Sequence, residues 1–422
     1  MKLSNPLVTM HNNRGSFNNV IVVGQGYVGL PISISAAKSG YKVFGFDISE
    51  EKIIQLQNGV INSPEVQKED LLRLQKKGKI TFTNSIPKLS DKSIIVIAVP
   101  TPLDNNRNPD LNMLKKACEM ISTILVDQSL VINESTSFIG TLRNFIKPAI
   151  EENSLAAEVK YAVAPERIDP GNSTWGIHNT PRLISGLDDD ATGLAKDFYS
   201  KFCKIIHTVS KPEVAEAAKL FENTFRHVNI ALVNEFSNIT QAFGISTHET
   251  IQAAATKPFG FMPFYPGIGV GGHCIPVDPS YLVYSAESVG YEAQFIELAD
   301  ETNLRMPHMV ASRIEKYLGG DLREKRIQIA GISYKPNISD LRESPALVLM
   351  KVLTDLGAQV SWCDPYVKKY NGQSSNELDN NIDLGLIITP HDTLNFSTWK
   401  ISGVKVLDLS ANIQNFGWPK FL

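Results

Sequence analysis

The segment NVIVVGQGYVGLPISISAAKSGYKVFGFD, residues 19–47, predicts a strand, a glycine-rich turn, a helix and a second strand that ends at an acidic residue. The apolar run 19–23 is typical of a buried parallel strand. Gly24, Gly26 and Gly29 follow it with the spacing GxGxxG. In this pattern the first glycine permits a tight turn, the second lets a pyrophosphate approach, and the third allows close packing of helix and strand. The helix N-terminus then offers free N–H groups to the phosphates, so the segment predicts a dinucleotide-binding domain.

Asp47 follows the second strand, where a carboxylate can bind both hydroxyls of a ribose. A carboxylate there repels the 2′-phosphate of NADP, and no arginine follows it. We therefore expect NAD as the cofactor. Tyr27 and Val28 in the turn, and Lys52 after Asp47, are assigned to the same predicted site. The alternative is a glycine turn in some other α/β domain.

The length and charge of the chain limit its architecture and partners. Its 422 residues favour two or three domains. With 41 basic and 44 acidic residues the net charge is -3, and no basic tract is present. We therefore expect neither nucleic acid nor a membrane as a partner.

The four cysteines, Cys118, Cys203, Cys274 and Cys363, are far apart and form no CxxC pair. This spacing predicts neither a zinc site nor a disulfide framework, and reduced thiols fit a cytoplasm. The N-terminal residues lack the apolar core of a signal peptide, and no apolar run reaches the length of a membrane span. We expect a soluble cytoplasmic protein without a bound metal.

Apolar runs alternate with amphipathic segments as far as Ser210, and this alternation predicts a parallel sheet with helices on both faces. The strands predicted within 93–102 and 129–136 end in prolines and polar residues. Ligands of such sheets bind at the carboxyl ends of the strands. The residues placed near the cofactor by this rule are Pro100, Thr101, Glu134, Ser135 and Thr136.

A further predicted strand leads into a proline-flanked loop that contains Glu166 and Arg167. Glu166 is a candidate for a general base or a group that orients water. The alternative for a lone loop carboxylate is simple solvation.

Residues 211–242 have one long helical pattern, on which Lys219 and Asn223 lie four apart and so share a face. A long helix between two α/β domains commonly forms a dimer surface. From Lys325 onward, strands alternate with helices again and predict a second, smaller doubly wound domain. Its first turn carries Lys335, which could hold a phosphate by charge, and Arg342 precedes its first helix.

The segment FYPGIGVGGHCIPVDPSYL, residues 264–282, combines four glycines with a cysteine and a carboxylate. Its prolines at 266, 276 and 279 predict a stiffened loop instead of a regular helix. Cys274, next to His273 and four residues before Asp278, fits a nucleophile or thiolate site. The alternative is a tight turn around a buried, inert cysteine.

Taken together, these segments resemble the UDP-glucose/GDP-mannose dehydrogenase family over residues 19–412. The motifs that carry the resemblance are GQGYVGLP, VPTP, NEST, APERIDPG, EVAEAAKLFENTFRHVNIALVNE, PGIGVGGHCIPVDP and GISYKPNISDLRESPA. The family's fold implies two Rossmann-like doubly wound α/β domains joined by a long central helix. The predicted segments are an arm (1–18), an NAD-binding domain (19–210), a central helical and dimerisation domain with the cysteine loop (211–320) and a C-terminal domain that binds the UDP-sugar (325–422).

The resemblance implies a four-electron oxidation at carbon 6 of a nucleotide sugar, with two NAD+, one water and a cysteine thioester. It assigns Cys274 as the nucleophile, Lys219 and Asn223 as stabilisers of the oxyanion, and Asp278 as the residue that orients water. Glu166 and Thr136 are similar to the family's water and proton relay. It further implies that Arg342 reaches the cofactor, that Lys335 holds a substrate phosphate, and that the remaining substrate contacts are Arg167, Tyr265, Gly267, Gly269, Gly271 and Gly272.

The segment around Cys274 resembles the branch of the family that oxidises UDP-N-acetylhexosamines, and UDP-N-acetylglucosamine is the expected substrate. His273 stands where the UDP-glucose branch has serine, and CIPVDP replaces a lysine-containing segment. Ile268 and Ser280 depart from the favoured branch. UDP-N-acetylmannosamine, UDP-N-acetylgalactosamine and UDP-glucose therefore remain alternatives. So do a one-step NAD-dependent dehydrogenase, which needs no cysteine, and a non-enzymatic NAD-binding protein.

Overall fold

The computed structural model describes residues 17–61, 63, 65–168, 172, 174–411, 416–418 and 420–422. The predicted arm lies outside the described residues except for its last two positions. The chain forms two compact units. The first comprises the chain up to Pro100 with 112–135 and 142–215, and the second comprises 101–111, 136–141 and 216–422.

The first unit contains an eight-stranded sheet with the order β3-β2-β1-β4-β5-β6-β7-β8. All neighbouring strands are parallel except β6 and β7, which are antiparallel. The strands are β1 (Asn19–Val23), β2 (Lys42–Phe46), β3 (Ile80–Thr83), β4 (Ser93–Ile97), β5 (Ser129–Asn133), β6 (Val159–Val163), β7 (Arg182–Gly186) and β8 (Ile206–Thr208).

The helices of this unit include the predicted one after the glycine turn. They are α1 (Gly29–Lys38), α2 (Glu50–Gln57), α3 (Lys68–Lys76), α4 (Asn112–Ser122), a π-helical turn (Leu142–Ile146), α5 (Lys147–Glu151) and α6 (Asp189–Tyr199). Strands β4 and β5 are buried at every position, as expected for parallel strands covered on both faces. The strand order reverses between β1 and β4, and ligands of such sheets bind outside the strand ends at this point.

The second unit has a four-stranded parallel sheet with the order β10-β9-β13-β14 and a short antiparallel pair, β11-β12. Its helices are α7 (Pro212–Ala242), whose first residues belong to the first unit, α8 (Thr247–Ala255), α9 (Cys274–Glu287), α10 (Gln294–Tyr317), α11 (Pro345–Asp355) and α12 (Ser397–Ser402). Its strands are β9 (Arg326–Ala330), β10 (Gln359–Cys363), β11 (Lys369–Tyr370), β12 (Gln373–Ser374), β13 (Leu384–Ile387) and β14 (Val406–Asp408).

The α/β fold with two sheets of mainly parallel strands and a long helix between them in sequence is confirmed. Ile268 of the glycine-rich segment is buried in the core of the second unit, against residues of α10, α11 and the sheet. This segment is therefore anchored in a packed core, which fixes the start of α9.

The prediction of a loop over 264–282 is wrong from Cys274 onward, because α9 begins there and continues to Glu287. Pro276 is in the first helical turn, where backbone N–H groups have no partner within the helix, so its missing N–H is tolerated. Pro279 lies further inside and removes one internal hydrogen bond. The carbonyl of Pro276, the next residue after Ile275, accepts a hydrogen bond from the Arg107 side chain at 3.0 Å.

Candidate active site

The glycine turn after β1 has the geometry that its spacing predicts. Gly24 has a φ of +95°, which favours glycine, and its N–H donates to the Phe46 carbonyl at 2.8 Å. A Cβ on Gly29 would lie 1.8 Å from the Gly24 carbonyl oxygen, so this close approach requires glycine. Gly26 is exposed, and no protein atom lies within 4 Å of where its Cβ would be. The turn therefore leaves open space beside Gly26 that a pyrophosphate can fill.

Asp47 is held at the carboxyl end of β2 by three donors. Its Oδ2 accepts from the Gln25 N–H at 2.9 Å and from Lys52 Nζ at 2.8 Å, and its Oδ1 accepts from the Ser49 N–H at 3.0 Å. The carboxylate is thus oriented beside the glycine turn, and Lys52 lies next to it. Tyr27 and Val28 are half-buried in the turn itself.

Glu134, which the sequence predicts near the cofactor, is held by partners within the first unit. Its buried Oε1 is 2.5 Å from Arg182 Nη1 and also accepts a hydrogen bond from the Tyr199 hydroxyl. Arg182 also lies over the Tyr199 ring, with 4.6 Å from Cζ to the ring centroid. Since a buried charge needs such partners, we assign Glu134 to the core of the first unit.

The other predicted residues of the first unit lie in loops after its strands. Pro100 is exposed after β4, and the hydroxyl of buried Ser135 donates to the Val99 carbonyl at 2.8 Å. The buried Glu166 carboxylate accepts a hydrogen bond from the Ile168 N–H. Arg167 Nη1 donates to the Pro181 carbonyl at 2.8 Å.

Cys274 is partly buried and is the first residue of α9. The N-terminus of a helix favours negative charge through its dipole and its free N–H groups, so it favours a thiolate over a thiol. Asp278 follows one turn later and lies on the same face of the helix. The sequence pattern identified both residues but missed this helix N-terminus.

Asp278 joins α9 to α7. Its Oδ2 accepts a hydrogen bond from Asn223 Nδ2 at 2.5 Å, and both side chains are buried. Lys219, one turn before Asn223 on α7, is also buried. Four of the six residues predicted to do the chemistry, Cys274, Lys219, Asn223 and Asp278, therefore lie on two helices that this hydrogen bond connects.

Thr101 and Thr136 belong to this second unit and connect to α9 through a tyrosine. The Thr101 hydroxyl donates to the Thr136 carbonyl at 2.7 Å. The hydroxyl of buried Tyr281 on α9 donates to the Thr101 carbonyl at 3.3 Å. Hydrogen bonds therefore connect both threonines to the helix that carries Cys274.

His273 precedes Cys274 and is a neutral imidazole. Burial and the positive charges of Arg342 and Lys219 lower its pKa to about 4, against an opposing effect of Asp340. Its Nε2 is buried and has no hydrogen-bond partner among the residues that the structure describes.

The glycine-rich segment before Cys274 packs closely against the chain itself. Gly272 has a φ of +87°, its N–H donates to the Arg342 carbonyl at 2.9 Å, and a Cβ there would lie 2.7 Å from the Tyr334 ring. A Cβ on Gly271 would meet the same tyrosine at 2.7 Å. Close packing against Tyr334 therefore requires glycine at these two positions, which the sequence pattern could not show.

Gly267, Gly269 and Tyr265 also contact other residues of the second unit. The Gly267 N–H donates to Asn234 Oδ1 at 2.9 Å, and a Cβ on Gly269 would lie 3.1 Å from the Asn303 carbonyl oxygen. Tyr265 stacks on His248 with 5.3 Å between the ring centroids.

Arg342 and Lys335 lie in the loop between β9 and α11. Arg342 makes a bidentate ion pair with Asp340, with 3.0 Å from Nε to Oδ1 and 2.5 Å from Nη2 to Oδ2. Lys335 is half-buried, and its carbonyl accepts from the Ser333 hydroxyl at 3.0 Å.

One acidic residue that sequence reasoning missed is Asp364, at the carboxyl end of β10. Its Oδ2 accepts from the Ile332 N–H at 2.9 Å, as Asp47 accepts from Gln25 in the first sheet. It is fully buried, and His391 Nε2 lies 3.1 Å from the same oxygen. The strand–turn–helix–strand–acid order around Asp364 could have revealed it.

Comparison with known proteins identifies the family. Models of the UDP-glucose/GDP-mannose dehydrogenase family match the NAD binding domain at residues 18–203, the central domain at 213–305 and the UDP binding domain at 328–410. The chain belongs to this family. It is an NAD-dependent oxidoreductase that acts on nucleotide sugars, which confirms the predicted enzyme class and cofactor.

Two groups of relatives are similar to nearly the same extent. A UDP-N-acetyl-D-glucosamine 6-dehydrogenase of Pseudomonas aeruginosa is 35% identical over 358 residues, which are 82% of this chain and 83% of that protein. A UDP-N-acetyl-D-mannosamine dehydrogenase of Pyrococcus horikoshii is 34% identical over 391 residues, which are 91% of this chain and 92% of that protein. The solved structure of a UDP-D-ManNAc dehydrogenase from Pyrococcus horikoshii has a TM-score of 0.84 at 32% identity and covers 96% of this chain and 97% of its own.

The residues at the glycine turn fit NAD. The open space at Gly26, the oriented Asp47 and the N-terminus of α1 provide for a pyrophosphate and a ribose. No group of three or more His, Cys, Asp or Glu residues in the described part of the chain is placed to hold a metal ion. Among the described helices, none is long and apolar enough to cross a membrane.

Proposed function

We propose that the protein oxidises the carbon-6 hydroxymethyl group of a UDP-N-acetylhexosamine, with UDP-N-acetylglucosamine as the best candidate, to the uronic acid through a thioester on Cys274. The observation that supports this most is the placement of Cys274 at the N-terminus of α9, one turn before Asp278, which is hydrogen-bonded to Asn223. A one-step dehydrogenase has no use for a cysteine at this position.

Bound NAD+ supplies the hydride acceptor for both oxidations. The alcohol loses a hydride and a proton to become an aldehyde, and the Cys274 thiolate adds to the aldehyde carbon to form a thiohemiacetal. Loss of a second hydride and the hydroxyl proton gives the thioester. Water attacks the thioester carbon, and the acid leaves as the Cys274 sulfur regains its charge. Overall, one alcohol, two NAD+ and one water give one carboxylate, two NADH and three protons.

The protein's own groups have separate roles in these steps. Lys219 and Asn223 stabilise the oxyanions of the thiohemiacetal and of thioester hydrolysis. Asp278 orients the attacking water with Lys219, and Glu166 and Thr136 relay water and protons. Covalent capture by Cys274 keeps the aldehyde from leaving between the two oxidations.

The ligand contacts of this proposal divide between cofactor and substrate. The cofactor is held by Gly24, Gly26, Tyr27, Val28, Gly29, Asp47, Lys52, Pro100, Thr101, Thr136 and Arg342. The substrate is held by Glu166, Arg167, Lys219, Asn223, Tyr265, Gly267, Gly269, Gly271, Gly272 and Lys335. The match to a UDP binding domain supports a UDP-sugar as the substrate. The uronic acid formed by the reaction suits the synthesis of polysaccharide precursors.

The choice of sugar rests on the segment around Cys274, since relatives named for N-acetylglucosamine and for N-acetylmannosamine are about equally similar. The test is to incubate the protein with excess NAD+ and, in parallel, UDP-N-acetylglucosamine, UDP-N-acetylmannosamine, UDP-N-acetylgalactosamine or UDP-glucose. We expect the highest kcat/KM with UDP-N-acetylglucosamine and a product heavier by one oxygen and lighter by two hydrogens. A preference for another sugar would overturn the assignment of the sugar and retain the route. An aldehyde as the final product would overturn the thioester route.

We further propose that two copies associate through α7. Phe221, Phe225, Leu232 and Ile239 are exposed on this 31-residue helix, and their spacing of four and seven residues places them on one face. An exposed apolar stripe of this kind is typical of a subunit interface.

A further inference from the structure

The first turn of α9, which carries Cys274, lacks part of the hydrogen bonding of a regular helix. Pro279 has no N–H, so the carbonyl of Ile275 has no donor four residues ahead. A buried carbonyl without a donor is costly, and other parts of the chain commonly supply one. The residues that contact this turn from outside are therefore candidates for holding Cys274 in place.

Arg107 supplies one external donor. Its Nη2 donates to the Pro276 carbonyl at 3.0 Å. Arg107 has a φ of +64°, an uncommon conformation for a residue with a side chain, and its N–H donates to the Asp104 carbonyl at 3.0 Å. The Asp104 carboxylate accepts from the N–H groups of Asn106 at 2.8 Å and Asn108 at 2.9 Å. A tight, well-bonded turn thus holds Arg107 in a strained backbone conformation, and such strain is often found at functional sites.

His227 of α7 is buried next to this arginine's acidic partner. Its side chain is fully buried, and burial lowers its pKa to about 4, while the backbone of Ile275 acts in the opposite direction. Its Nε2 lies 3.4 Å from Asn303 Nδ2, and its Nδ1 has no hydrogen-bond partner among the residues that the structure describes.

Asp300 of α10 lies next to both Arg107 and His227. Its Oδ1 lies 3.0 Å from Arg107 Nη2 and 3.5 Å from His227 Nε2. Asn303, one turn later, donates to the His227 carbonyl at 3.1 Å and accepts from Asn234 Nδ2 at 3.1 Å. Because Asn234 also binds the Gly267 N–H, the network reaches both ends of the segment that leads into Cys274.

We propose that Arg107, Asp300 and His227, here called the clamp, are positioning residues that hold the first turn of α9 so that the Cys274 sulfur can capture the aldehyde. This inference rests on the proposed function. The clamp keeps residues 274–278 helical, so that Cys274 and Asp278 stay on one face and the contact of Asp278 with Asn223 is preserved. A misplacement of about 1 Å in such a group can reduce a rate by about 10²-fold.

The test compares Arg107→Met, which keeps the aliphatic stem and removes the donors, with Arg107→Lys, which keeps one charged donor. The matched control is Arg313→Met, since Arg313 of α10 is also partly buried and donates a hydrogen bond to Asn238 of α7 instead of to α9. The release of the first and the second NADH is followed by stopped flow in a single turnover of UDP-N-acetylglucosamine, with kcat, KM and the melting temperature measured alongside.

We expect Arg107→Met to slow the second NADH at least tenfold and to leave the first NADH and both KM values within about threefold, since Cys274 acts only after the aldehyde has formed. Arg107→Lys should recover part of the loss, and Arg313→Met should resemble the wild type. Equal slowing of both NADH phases, an unchanged second phase in a folded Arg107→Met protein, or the same loss in Arg313→Met would overturn the proposal. If Arg107→Met does not fold, an unchanged second phase in Arg107→Lys and in Asp300→Asn overturns it. Failure of the proposed function itself is distinguishable, because it appears in the wild type as a single NADH per sugar.

Discussion

The side-chain amide of Asn223 donates a hydrogen bond to the Asp278 carboxylate, with 2.5 Å between Nδ2 and Oδ2. Asn223 is on α7 and Asp278 on α9, and both are buried. This bond fixes the relation between the helix that presents Lys219 and the helix that begins with Cys274.

Asn223→Leu should reduce uronic acid formation by about 10²–10³-fold, because it removes an oxyanion donor and a partner of a buried carboxylate. The loss of that partner should also lower the free energy of unfolding by about 1–3 kcal/mol. Steady-state kinetics and urea titration measure the two effects. Asn229→Ala is the control, since Asn229 is on the same helix and its side chain donates to the Phe225 carbonyl of that helix at 2.7 Å. Wild-type kcat in Asn223→Leu would contradict the assignment.

Alanine at two glycines of the same turn should have opposite consequences. Gly26→Ala should leave the melting temperature unchanged and weaken NAD binding, because no protein atom is within 4 Å of the new Cβ and the cofactor is expected there. Gly29→Ala should destabilise the first unit, because its Cβ would lie 1.8 Å from the Gly24 carbonyl oxygen. Calorimetric unfolding and NAD titration separate the two. Unchanged NAD affinity in Gly26→Ala would show that the cofactor does not pass this point.

Acid should destabilise the protein as the pH falls from 6.5 towards 4. Buried His227 and His273 have pKa values of about 4 in the folded state, below the ordinary 6.5, so the unfolded chain binds more protons in this window. Each residue should contribute a slope of up to about 1.4 kcal/mol per pH unit, with the stability fully present above pH 6.5. Urea titrations at pH 7 and pH 5 should show a smaller decline for His273→Gln than for the wild type. Identical declines would mean that His273 is not held neutral.

Leu232→Asp should shift the protein from dimer to monomer, because it introduces a charge into the exposed apolar face of α7. Sedimentation velocity at several concentrations measures the change. Glu222→Gln, on the same helix but away from that face, should leave the mass unchanged. If wild-type protein is monomeric at all concentrations, α7 is not a subunit interface.

Several elements were predictable because their signals are local. Strand β1, the glycine turn and β2 follow from apolar runs and glycine spacing within about thirty residues, as in other folds of this class. The long helix α7 follows from its periodicity and from Pro212 at its first position. The residues of the candidate site were found by their chemical types in motifs.

Other features depend on contacts that a local pattern does not contain. The helix α9 was missed because Pro276 and Pro279 argue against a helix, and Arg107, whose side chain contacts its first turn, lies 169 residues away from Pro276. Likewise the buried ion pair of Glu134 could not be predicted from the local pattern, because its partner Arg182 is 48 residues away. Tyr334, which packs against Gly271 and Gly272, is likewise distant from them in sequence.

The most direct test of the account is the number of NADH molecules formed per UDP-N-acetylglucosamine consumed, measured for the wild type and for Cys274→Ala. We predict two NADH and one uronic acid per sugar for the wild type, and no uronic acid for Cys274→Ala at any NAD+ concentration. Two NADH per sugar and undiminished acid formation in Cys274→Ala would contradict the central role of Cys274.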